Sequence, residues 1–115
     1  MASTFKNAGI SVPVVDTSAG NLFAAGASST AVIHALYISN KSTTASATVD
    51  VKVTTDGGST FYHIGKSLRV PVENTLILDK PINLEPNDIL RIVAEVNADS
   101  SSPDVEVYAS ILEIS

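Results

Sequence analysis

Apolar and polar residues alternate along this chain in short runs, cut at intervals of about ten positions by turn residues, the rhythm of an all-β domain with two layers. Residues 47–55 show it most plainly. Val49, Val51 and Val53 point one way and Thr48, Asp50, Lys52 and Thr54 the other, so the run predicts a half-buried strand with a solvent face. Asp56, Gly57 and Gly58 then supply residues that accept positive φ, which should close a hairpin onto a strand over residues 60–66. Thr30–Asn40 is apolar for too long to alternate cleanly and predicts a strand covered on both faces. Residues 68–72 and 75–79 predict two strands flanking the Pro71 to Asn74 region, where Pro71 has no ladder donor and indicates an edge or a bend. Residues 82–84 lead into Glu85-Pro86-Asn87-Asp88, a turn in which the Asp88 carboxylate is expected to accept backbone donors. Strands over residues 89–96 and 105–114 complete the set. On the last, Val105, Val107, Ala109 and Ile111 share a face, whereas Leu112 and Ile114 reverse the parity; a bulge or a second contact surface would account for that.

Seven or eight short antiparallel strands leave two half-apolar sheets with only each other to cover them, so the expected fold is an all-β sandwich or jelly roll. Helix has little room: only residues 21–27 tolerate it, and Gly20 and Gly26 bracket them to one or two turns. The first 29 residues stand apart as an extended N-terminal arm or edge segment, with the sandwich proper over residues 30–115. Ile10, Val12, Val14 and Val15 make that arm apolar but Pro-interrupted, which suits strand addition to a neighbouring subunit.

Composition agrees. Val, Ile and Thr supply 33 of 115 residues against 9 Leu and Met, a balance that favours strands. A chain of this size buries about two-thirds of its unfolded surface, enough for one core without disulfides, and it has no Cys. Seven Lys and Arg face 12 Asp and Glu, a net charge of −5, so no basic stripe is available to a nucleic acid. No apolar run approaches the roughly 18 residues that span a bilayer, and no charged-then-apolar leader opens the chain, so synthesis in the cytoplasm is expected.

Chemistry-bearing residues are sparse. His34 and His63 are isolated, no Gly-x-Ser-x-Gly elbow accompanies the 25 Ser and Thr, and no catalytic or cofactor-binding set emerges; a non-enzyme is expected. Without Cys, zinc lacks ligands of the usual spacing, and Asn97, Asp99 and Asp104 match no calcium loop, so solvated acids are the simpler reading. Asn40-Lys41-Ser42 fits a glycosylation sequon but no leader would carry it to the transferase. Tyr62 and Tyr108, if they share one face, would offer a sugar a stacking platform, which makes a glycan-binding module for host attachment an alternative function.

Thr30–Asn40 (TAVIHALYISN), Tyr62-His63-Ile64-Gly65-Lys66, the run from Thr75 through Leu78-Asp79-Lys80-Pro81-Ile82-Asn83-Leu84-Glu85 to Asp88, and Val107-Tyr108-Ala109-Ser110-Ile111-Leu112-Glu113-Ile114 occur together and in order. They resemble a family of small virion structural proteins of tailed bacteriophages, over residues 30–114. The resemblance implies a place on the capsid exterior as a cement or decoration protein that bridges copies of the major capsid protein, with a tail or neck component as the alternative. Such a protein needs no catalytic residues. It sums modest interfaces around a symmetry axis, which favours a homo-oligomer such as a trimer. The candidate contact residues are Ile10, Val12, Val14, Val15, Tyr62, Tyr108, Leu112 and Ile114.

Overall fold

The computed structural model describes residues 2–96 and 103–115. Among these are nine strands and one 3-10 turn: β1 (Ser3–Ser11), the turn Ser18–Gly20, β2 (Asn21–Ala24), β3 (Thr30–Asn40), β4 (Ala47–Thr54), β5 (Phe61–Val70), β6 (Thr75–Leu78), β7 (Ile82–Leu84), β8 (Ile89–Glu95) and β9 (Val105–Ile114). All pairings are antiparallel and form two sheets. The first has the order β1-β9-β3-β6, with β7 also on β3; the second has the order β2-β8-β4-β5. β6 lies beside residues 36–39 of β3 and β7 beside residues 31–33, so the two share one edge.

This order is a jelly roll. β1 with β9, β2 with β8, β3 with β6 and β7, and β4 with β5 nest as one long hairpin. Rolling that hairpin brings β9 beside β3 and β8 beside β4. The inner faces supply the core: Ile33, Leu36 and Ile38 from β3, Val49 and Val51 from β4, Leu90 and Ile92 from β8, and Val107 and Ile111 from β9 are all sealed from solvent. Each such side chain contributes about 1.5–3 kcal/mol by leaving water.

Several sequence expectations change. The first 29 residues, expected as an arm or edge segment, supply β1 and β2, an edge strand for each sheet; β1 pairs with β9 in unbroken register from Ser3 with Ile114 to Ser11 with Glu106. Residues 21–27 hold no α-helix, because Asn21–Ala24 extends along β8 after the short 3-10 turn. The strands expected over residues 60–66 and 68–72 are one strand, β5, which carries two bulges against β4. Asp50 sets one of them: its carboxylate accepts from the Ser67 backbone N–H at 2.8 Å and from Lys66 Nζ at 3.1 Å, holding Ser67 at φ 55°. β3 is covered on its inner face only; its outer positions alternate half-buried and exposed around a bulge at His34.

The outer face of β4 is not the solvent face its pattern predicts. Asp50, Lys52 and Thr54 are buried. Asp16, on the loop between β1 and β2, reaches over the second sheet to pair with Lys52 and with Arg91, 3.0 Å away. Both cations also face the Phe61 ring, at 4.7 and 4.5 Å from its centroid. The turns do behave as expected. Gly57 and Gly58 take φ of 82° and 111° at the hairpin tip, and the Asp88 carboxylate accepts from the Glu85 N–H at 2.8 Å.

Candidate functional site

The outer face of the first sheet carries four of the large exposed apolar side chains, Phe5, Tyr37, Ile77 and Tyr108. Cross-strand registers stack them in rows. Tyr108 on β9 stands opposite Tyr37 on β3, which stands opposite Ile77 on β6; these are 49%, 38% and 53% exposed. Toward the other end of the strands, Phe5, Leu112 and Val32 form a second row, with Phe5 82% exposed and Ile114 two positions further on. Asn7, Ser110 and Ala35 lie between the rows. The parity reversal past Ile111 is thereby explained: β9 keeps its register against β1, the bulge lies in β3 opposite residues 110–111, and Leu112 and Ile114 stand on this outer face.

Tyr108 leans toward Gly9 on β1, where a Cβ would lie 3.5 Å from its ring, so the glycine leaves a dish beside the two tyrosines. The dish has a volume of about 340 Å³ and is lined by Gly9, Tyr37, Tyr108, Ser39 and Glu106. Its polar end is fixed. Ser39 Oγ and Thr75 Oγ1 are 2.9 Å apart, and Glu106 and Asp104 approach Lys41 Nζ at 3.5 and 3.4 Å. The Asp104 carboxylate, and after it Glu106, raises the Lys41 pKa.

The candidate contact residues divide. Tyr108, Leu112 and Ile114 share the outer face of the first sheet. Tyr62, 62% exposed, sits on β5 of the second sheet, so the pairing of Tyr62 with Tyr108 on one face does not occur; the neighbour of Tyr108 is Tyr37. Val12 is 7% exposed and lies within the chain's own core, with Ile10 packed against it, whereas Val14 and Val15 are 40% and 53% exposed. Tyr37 was not among the expected contacts. Its position is set by the His34 bulge, which shifts the parity of β3 midway and leaves no mark in the residue pattern.

The remaining polar candidates do not come together among the described residues. His34 and His63 are exposed on β3 and β5, and no cluster of three or more metal-ligating side chains is present among the described residues. Asn97 and Asp99 lie outside the described residues, and Asp104 is taken up by Lys41. Asn40 of the sequon is buried: its side-chain amide donates to the carbonyls of Ala45 and Val70 at 2.9 and 3.1 Å, so no glycan can be carried there in the folded chain.

No protein family and no curated protein matches the chain. Its fold is similar to part of a chain in the crystal structure of the T13 IBDV viral particle, with a TM-score of 0.55 and 14% sequence identity over 96% of this chain and 30% of that one. The chain thus spans less than a third of the viral chain that it resembles in fold.

Proposed function

We propose that the chain is a structural protein of a virus particle, a cement or decoration protein on the outside of a tailed-phage capsid that bridges neighbouring major capsid subunits. The observation that carries this reading is the outer face of the first sheet, where one row of exposed side chains, Tyr108, Tyr37 and Ile77, and a second of exposed Phe5 with half-buried Leu112 and Val32 stand on the same face. Large apolar side chains gathered in this way on one sheet face favour an interaction site. The jelly-roll order and the fold likeness to a chain of an icosahedral virus particle support it, as does the resemblance over residues 30–114. Copies assemble as a small ring, a trimer at a capsid symmetry axis, so that several modest contacts act together.

Imaging purified virions at side-chain resolution tests the reading. The expected result is jelly-roll density on the capsid surface with Tyr37 and Tyr108 turned toward the shell. Density on the tail or neck would replace the capsid placement, and a particle without this protein would overturn the virion role.

A further inference from the structure

Each sheet has two edges, and three of the four are blunted against further pairing. β2 has four residues and a register shift, β6 and β7 have four and three residues, and β5 carries two bulges with Ser67 at φ 55°. β1 is different. Its nine residues run without a bulge, a proline or a positive φ, and no strand among the described residues pairs with its other side. Which backbone groups lie on that side follows from the two ends of the strand. Ala2 exchanges both backbone bonds with Ser115, at 2.8 and 2.9 Å, and the Val12 N–H donates to the Val105 carbonyl at 2.8 Å. Bonded positions alternate in an unbroken antiparallel register, so Thr4, Lys6, Ala8 and Ile10 bond to β9, and the N–H and C=O groups of Ser3, Phe5, Asn7, Gly9 and Ser11 point away from it. Lys6, the one charge on β1, does not guard this free edge, because its ammonium is held 2.7 Å from Glu113 on β9.

We propose that the free edge of β1 pairs antiparallel with β1 of a second copy of the chain, about a two-fold axis at Asn7. The strand is complementary to itself in this register. Ser3 faces Ser11, Phe5 faces Gly9 and Asn7 faces its own counterpart, each pair exchanging both backbone bonds, while Lys6 faces Ala8. Moving the axis to Lys6 would instead set two like charges directly opposite, which is unfavourable. Phe5 is 82% exposed, and Gly9 leaves open the dish beside Tyr108, so the ring of one copy covers the glycine of the other. The two Asn7 amides, each with donors and an acceptor, meet across the axis. Pairing sets the two first sheets edge to edge, so their outer faces become one surface on which Phe5, Tyr108, Tyr37 and Ile77 all remain. A contact between like surfaces closes at two copies. It does not rest on the virion role; on a shell it would link a copy in one ring to a copy in the next.

The chain has no Cys, so single cysteines in the purified full-length protein report the register. On the axis the two Cα atoms of residue 7 lie about 5.5 Å apart, within a disulfide's reach. Asn7→Cys is expected to give a disulfide-linked dimer under mild oxidation, whereas Ser3→Cys and Ser11→Cys stay unlinked alone and link when mixed. Asn7→Pro removes a donor that faces away from β9, so it is expected to keep its far-ultraviolet strand signature and to sediment at half the wild-type mass. Should the proline disturb the strand, Phe5→Ala is expected to weaken association about tenfold through the two symmetric ring contacts it removes. If Asn7→Cys links no faster than Ser3→Cys alone, or if Asn7→Pro and Phe5→Ala associate as tightly as wild type, the edge pairing is wrong and the virion role stands. A particle that lacks the protein, beside a linked Asn7→Cys dimer, would overturn the virion role and leave the pairing in place.

Discussion

The side-chain amide of Asn40, on β3 of the first sheet, donates to the carbonyl of Val70, on β5 of the second, across 3.1 Å. The same side chain donates to Ala45 and accepts from the Ser42 N–H at 3.0 Å. One buried residue therefore fixes how the chain turns from the first sheet into the second. Asn40→Ala leaves these backbone groups without partners and is expected to cost about 2–3 kcal/mol in urea unfolding. A loss below about 0.5 kcal/mol would mean that water replaces the amide without strain.

Asp16 and Lys52 are not equivalent halves of their ion pair. Asp16→Ala leaves both Lys52, 8% exposed, and Arg91, 12% exposed, against the Phe61 ring without a carboxylate. Lys52→Met leaves Asp16, 54% exposed, still paired to Arg91. Removing the acid is expected to cost about 1–2 kcal/mol, discounted for its exposure, and removing the lysine less than about 1 kcal/mol. Equal losses in chemical denaturation would refute the asymmetry.

Acid should weaken the fold through three aspartates. Lys52, with Arg91, holds Asp16 below its ordinary value of 3.8. Burial pushes Asp50 up, but the Ser67 N–H and Lys66 together outweigh it and leave it lowered. The Thr60 N–H, followed by the Thr54 hydroxyl, lowers Asp56. In each case the unfolded chain binds a proton first as pH falls. The stability these groups add is thus complete above the unfolded value and is lost as pH drops through the lower folded ones. Urea midpoints measured from about pH 6 down to about pH 2 should hold steady and then fall below about pH 4. A flat profile across that range would remove these contacts from the account.

Two glycines are required for opposite reasons. At Gly20 a Cβ would lie 2.6 Å from the Ile92 carbonyl, a backbone atom that cannot step aside. Gly57 has nothing within 4 Å but sits at φ 82°. Gly20→Ala is expected to cost up to about 3 kcal/mol from overpacking, and Gly57→Ala about 1 kcal/mol from backbone strain alone. Thermal melts that reverse this order would contradict the geometry.

Local patterning made part of this molecule legible from its residues. The core face of β4, the glycine hairpin tip and the Asp88 turn follow from period-two alternation and turn chemistry, which act between neighbours. What escaped was long-range. The polar face of β4 looks solvated because its cover, Asp16, lies 36 residues upstream of Lys52, and no local rule links them. Asn40 looks like a sequon at a strand end, and its buried role depends on Val70, 30 residues away. Tyr37 joins Tyr108 only because a bulge at His34 resets which residues of β3 face out.

The pairing of β1 with β9 also bears on how the molecule is made. Residue 3 meets residue 114, so β1 is made more than a hundred residues before the strand it pairs with, and the nested hairpin closes only once both are present. Until then the exposed margin of β1 has no ladder, and its partner does not yet exist. A topology so rich in distant partners belongs to the slow end of the single-domain range, with closure on the order of milliseconds to seconds.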